Sequence, residues 1–170
     1  NVCSTGGGCG QLASVIDAQN NITTYDAYDA GGLLLQSTDP NGTTTSYTYD
    51  TRNRVKTVAI SSTSGTRTTT YRYDGVGQIT QVVMPDGLSI TNTYNNARYL
   101  EAVHDNQGNR IEYSYDLKGN RTHSQTKDSS GNLERIMTIA FDHRDQVTQI
   151  NAAGSITQMV KDAVGNMISQ

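Results

Sequence analysis

The chain has 170 residues, a formal net charge of −3 and only 34% hydrophobic residues, with no Trp, one Phe and ten Tyr, so a thick apolar core is not expected. Its 13 Lys and Arg are scattered and offer none of the clustered positive charge that a phosphate backbone requires, which argues against a nucleic-acid partner. No apolar run approaches the roughly 18 residues of a membrane helix, and residues 1 to 30 lack the basic start and apolar block of a signal peptide.

Residues 1–11 read as a partial first unit containing Gly and Cys. Cys3 and Cys9 flank a Gly-rich loop, and a disulfide closing it would suit an oxidising compartment. Two free thiols at a frayed end are the favoured alternative, because a terminus holds bridge geometry poorly. Two thiolates without a neighbouring His do not make a metal site. Gly6-Gly7-Gly8 lacks the Lys and Ser or Thr of a phosphate loop and reads as a flexible segment.

From there an aromatic followed by Asp or Asn recurs every 21 to 26 residues: Tyr28-Asp29, Tyr49-Asp50, Tyr73-Asp74, Tyr94-Asn95, Tyr115-Asp116 and Phe141-Asp142. The fourth residue after the aromatic is often Gly (Gly32, Gly77, Gly119), and the sixth is apolar at Leu34, Val55, Ile79, Leu100 and Val147, with Arg121 breaking the series. A degenerate unit follows at Lys161-Asp162, Gly165 and Met167, and Gly10 with Leu12 ends an earlier one. Midway between motifs lies a second cluster: Gln19-Asn20, Asn41-Gly42, Ser64-Gly65, Asp86-Gly87, Gln107-Gly108, Ser130-Gly131 and Ala153-Gly154. Each unit thus holds two turns and two connecting segments. Residues 1–170 read as one array of about seven such units, starting in mid-repeat like a piece of a larger protein.

The connecting segments have strand character. In Thr43–Tyr49, Arg67–Tyr73 and Asn109–Tyr115 alternate positions segregate, with Ile111, Tyr113 and Tyr115 on one side and Arg110, Glu112 and Ser114 on the other. No comparable window places apolar residues at helical spacing, so an all-β chain of consecutive hairpins is expected. Asp39-Pro40-Asn41-Gly42 and Pro85-Asp86-Gly87 carry turn chemistry, and the motif Asp is expected to accept a turn hydrogen bond. The apolar pairs Leu12 and Val15, Val55 and Val58, Ile79 and Val82, Leu100 and Val103, and Val147 and Ile150 are three apart. That odd spacing requires either two apolar faces or a bulge in each unit.

The stretches Tyr47-Thr-Tyr49-Asp50-Thr-Arg-Asn-Arg-Val55, Tyr71-Arg-Tyr73-Asp74-Gly-Val-Gly77-Gln-Ile79 and Tyr113-Ser-Tyr115-Asp116-Leu-Lys-Gly119-Asn resemble the YD repeat of the Rhs family. This repeat is also found in bacterial Tc toxin shells and in teneurins. The resemblance implies a curved, spiralling antiparallel sheet forming part of a hollow shell, which in bacteria encloses a toxic C-terminal domain before delivery. It implies flanking repeats and the enclosed toxin domain of the same parent as partners, and a secreted or cell-surface location. Glycan binding at a cell surface is the alternative, suggested by the many Tyr, Asn and Asp side chains.

No catalytic residue, metal ligand or cofactor is expected. His104-Asp105, His123-Ser124 and Asp142-His143 lie in or beside turns of different units, and adjacency in sequence does not make a triad. Asp105–Asn109 and Asp128–Asn132 contain oxygen ligands but do not match a calcium loop. Asp39-Pro40 belongs to an ordinary mid-unit turn rather than to a cleavage site.

Overall fold

The computed structural model describes residues 10–152, 154–161 and 167–168. Cys3, Cys9, Gly6 to Gly8, Ala153, Asp162 and Gly165 lie outside the described residues. Every helix or strand among the described residues is a strand, so no helix there is long and apolar enough to cross a membrane.

The chain divides into two compact segments, Asn1–Leu88 and Ser89–Gln170. The first holds β1 (Ser14–Ile16), β2 (Ile22–Tyr28), β3 (Leu34–Thr38), β4 (Thr44–Tyr49), β5 (Val55–Ser62), β6 (Gly65–Tyr73) and β7 (Ile79–Val83). The second holds β8 (Ser89–Tyr94), β9 (Leu100–Asp105), β10 (Arg110–Tyr115), β11 (Arg121–Lys127), β12 (Leu133–Phe141), β13 (Val147–Ala152) and β14 (Ser155–Gln158), then the short pair β15 (Val160–Lys161) and β16 (Met167–Ile168). Consecutive strands from β1 to β7 and from β8 to β14 pair antiparallel in chain order, as expected when the connections are short turns, and β15 pairs antiparallel with β16 in a separate two-stranded sheet.

Strand registers settle the odd apolar spacing in favour of a bulge. Tyr49 opposes Val55 and Thr48 opposes Thr57, so Lys56 has no counterpart. The same extra residue follows the motif turn where Tyr73 meets Ile79, Tyr94 meets Leu100, Tyr115 meets Arg121 and Phe141 meets Val147. A bulge shifts the face by one residue, so Val55 and Val58 stand together opposite Tyr49 and Tyr47. Ile79 and Val82 likewise oppose Tyr73 and Tyr71.

The opposite face of the first segment is hydroxyl-rich. Ser14, Thr24, Thr38, Thr44, Ser61 and Thr66 form a row across six strands. Neighbouring hydroxyls bond directly, Thr48 to Thr57 at 2.6 Å and Ser61 to Thr66 at 2.8 Å. Ala102, at 7% exposure, is the one apolar residue counted as buried among the described residues. Stabilisation therefore rests on half-buried cross-strand pairs, each worth about 0.2–1 kcal/mol, repeated along the sheet.

Candidate functional site

The residues singled out by the repeat sit in or beside the motif turns of each segment. In turn 50–54 the Asp50 N–H donates to the Arg54 carbonyl at 2.9 Å, and the Asn53 N–H to the Asp50 carbonyl at 3.0 Å. Asp50 Oδ1 accepts the N–H groups of Arg52 and Arg54 at 2.8 and 3.1 Å. Asp29, Asp74, Asp116 and Asp142 accept in the same way, as does the Asn95 amide oxygen. Mid-unit Asp17, Asp39, Asp105 and Asp128 repeat the pattern, so at these four turns the same Asx chemistry is used, whereas the turns at Ser62–Gly65 and Met84–Leu88 are built differently. The fourth place after the aromatic takes the left-handed conformation, which accounts for Gly32, Gly77 and Gly119; Asn53, Arg98 and Asp145 adopt it at φ of 61°, 67° and 61°.

The motif tyrosines tie one unit to the unit before it. Tyr28, Tyr49 and Tyr115 donate their hydroxyls to the carbonyls of Leu12, Leu34 and Leu100, each at 2.7 Å, and Tyr73 donates to Val55 at 2.8 Å. Each acceptor is the sixth-place residue of the preceding unit. At Leu34, Val55 and Leu100 it adjoins the bulge, where the regular ladder is interrupted. Burial raises the pKa of Tyr49 and Tyr115 above the usual phenol value. No partner for these hydroxyls was expected from the sequence. The available signal was the near-constant choice of Tyr over Phe, since packing by itself does not need the hydroxyl.

Turn-to-turn contacts add to these struts. Arg54 forms a 2.7 Å ion pair with Asp50, donates to the Asp74 carbonyl at 3.1 Å and stacks 4.4 Å from the centre of the Tyr73 ring. Arg52 donates to the Gly75 carbonyl. In the second segment Tyr99 stacks on Tyr115, ring centres 4.9 Å apart.

Hydrogen bonds to ionised Asp hold several turn carboxyls below the ordinary value. The leading donor is the side chain of Asn21 for Asp17, Arg54 for Asp50, Asn109 for Asp105, Asn120 for Asp116 and Asn132 for Asp128. For Asp74, burial pushes the pKa upward, but the backbone N–H groups of Gln78, Val76 and Gly77 outweigh it. A depressed folded pKa gives stability that is fully present above the unfolded value and is lost as pH falls through the folded one. The expected result is a flat stability profile from neutral pH down to about pH 4, followed by loss below it, checked by circular dichroism across a pH series.

The histidines are not gathered into a catalytic set. His104 opposes Thr91 and Arg110, His123 opposes Ser114 and Thr138, and the backbone carbonyl of His143 accepts from Lys118. A shallow, open recess in the second segment is lined by Glu101, Glu112, Ser114, His123 and Gln125, among others. Its carboxylate Glu112 is already engaged: Lys127 Nζ lies at 2.8 Å from Oε2, and Gln125 donates to the same oxygen. Arg110 Nε lies 2.9 Å from Oε1, as an ion contact too poorly aligned for a hydrogen bond. Lys127 leads in holding the Glu112 pKa down. Asp105 and Asp128 likewise spend their oxygens on Asn109 and Asn132, and no group of three or more His, Cys, Asp or Glu among the described residues could hold a metal ion.

The pattern of Tyr-Asp turns has a counterpart among known families: residues 28–67 and 57–89 match the RHS repeat. Residues 28–89 thus carry RHS repeats. The fold of the chain is similar to that in the crystal structure of TcdB2-TccC3-Cdc42, at a TM-score of 0.72 and 14% identity over 87% of this chain and 9% of that one. It is shared with TcdB2-TccC3, at 0.70 and 15% identity over 86% and 9%. A third likeness is to the Photorhabdus luminescens Tc holotoxin pore, at 0.56 and 17% identity over 93% and 12%. The chain thus spans only 9% to 12% of the solved chains it resembles. No curated protein matches it significantly.

Proposed function

We propose that the chain is a wall segment of an RHS-repeat shell that encloses a C-terminal toxin or effector domain of the same parent protein and helps deliver it, outside the producing cell. It acts by geometry and exclusion, without catalysis. The observation that carries this reading is the Tyr strut: a unit is completed by the hydroxyl of the next, so the residues of the repeat are committed to extending a wall. The Tc structures sharing the fold support the reading by analogy of architecture. Glycan binding is less well supported, because the hydroxyls of Tyr28, Tyr49, Tyr73 and Tyr115 are engaged with backbone carbonyls.

Among the described residues β1 pairs only with β2, and β14 only with β13. Open strand edges recruit further strands. The isolated chain is therefore expected to self-associate at micromolar concentration in analytical ultracentrifugation, and a version extended by the parent's flanking repeats to remain discrete and protect a downstream domain from protease. A monomeric isolated chain with a high, cooperative melting transition, or an extended version whose downstream domain is digested freely, would overturn the shell reading.

A further inference from the structure

Of the motif aromatics, Phe141 is the one without a hydroxyl. It opposes Val147 across its bulge as Tyr49 opposes Val55, yet it cannot donate to the sixth-place carbonyl of the preceding unit, that of Arg121. That sixth place is itself changed from an apolar residue to Arg121, whose guanidinium lies 5.2 Å from the centre of the Tyr113 ring. Contact between turns 116–120 and 142–146 is polar instead. Lys118 Nζ lies 2.8 Å from Asp145 Oδ1 and donates to the His143 carbonyl at 2.9 Å, while Asn120 Nδ2 donates to the same Asp145 oxygen at 3.0 Å. The Lys118 and Asp145 side chains are 52% and 47% exposed.

We infer that the Lys118–Asp145 clasp is a salt-sensitive latch: at this junction the turn 142–146 and the adjoining ends of β12 and β13 part from turn 116–120 when ionic strength rises. The inference does not rest on the shell reading. An exposed ion pair is weak and is screened once the Debye length falls from about 10 Å at 0.1 M salt to about 3 Å at 1 M. The junction between turns 50–54 and 74–78 has several holds that salt does not remove: the Tyr73 strut, two Arg-to-carbonyl bonds and the Arg54–Tyr73 stack. The Phe141 junction lacks the strut, and once the ion pair is screened the bonds between its two turns are those of Lys118 to the His143 carbonyl and of Asn120 to Asp145, fewer than at the Tyr73 junction.

Hydrogen exchange of the full chain, read by mass spectrometry at about 0.1 M and about 1 M NaCl, tests the latch. Residues 139–147 are expected to exchange about 2- to 5-fold faster at high salt, with residues 70–78 unchanged. Asp145→Asn keeps a residue suited to the left-handed turn but removes the charge; it should exchange fast at both salt concentrations. Phe141→Tyr, which supplies the missing hydroxyl, should slow exchange at residues 139–147 and reduce their response to salt. Equal salt effects at the two junctions, or wild-type exchange and salt response in Asp145→Asn, would overturn the proposal.

Discussion

Replacing Tyr73 with Ala is expected to lower stability by about 2–3 kcal/mol, below the ~3–5 kcal/mol of a fully buried aromatic because the ring is only half-buried. Three contacts go together. The hydroxyl strut to the Val55 carbonyl is worth about 0.5–1.5 kcal/mol. The Arg54 stack at 4.4 Å adds roughly 0.5–1 kcal/mol. The remainder is cross-strand packing against Ile79. Tyr73→Phe removes only the strut and should cost about 1 kcal/mol. Urea denaturation of the three chains checks the series: if Phe and Tyr are equally stable, the strut contributes nothing and ring packing alone accounts for the motif aromatic.

Gly119→Ala is expected to cost about 2–4 kcal/mol, whereas Gly77→Ala should cost only about 1–2 kcal/mol. Both glycines sit at the same place in their turns, at φ of 94° and 101°, where a side chain is strained. Their surroundings differ. A Cβ on Gly119 would collide with the Tyr99 hydroxyl and lie 2.7 Å from its Cζ, so the ring would have to shift. With it goes the Tyr99–Tyr115 stack, worth about 0.5–1.5 kcal/mol. A Cβ on Gly77 would meet nothing nearer than Arg54 Nη1 at 3.8 Å. The same denaturation measurement separates the two; equal losses would show that the stack adds nothing to the backbone term.

Much of the architecture was legible because it is local. Strand alternation in Arg67–Tyr73 and Asn109–Tyr115, turns at Asn41-Gly42 and Asp86-Gly87, and hairpin connectivity all follow from residues within a few positions of each other. The side-chain oxygen of Asp50 or Asp116 serves N–H groups two and four residues away, within reach of a reading of the turn itself. That Asp17, Asp39, Asp105 and Asp128 share this chemistry was less visible, because the mid-unit turns vary from Asp39-Pro40-Asn41-Gly42 to the tight Ser62–Gly65 connection.

Other features needed the register. Val55 and Val58 could have stood on opposite faces or together, and only the pairing of Tyr49 with Val55 and Thr48 with Thr57 shows the extra residue at Lys56. The Tyr73 hydroxyl finds its acceptor 18 residues back, at Val55, and Lys118 finds Asp145 27 residues ahead. Such partners are brought together by the stacking of one unit on another, which a local pattern does not encode. Periodicity and turn chemistry act over a few bonds, so the chain alone determined an all-β array of hairpins. Which face each valine occupies, and which unit each tyrosine holds, depend on strand pairing across the sheet, so only the tertiary structure decided them.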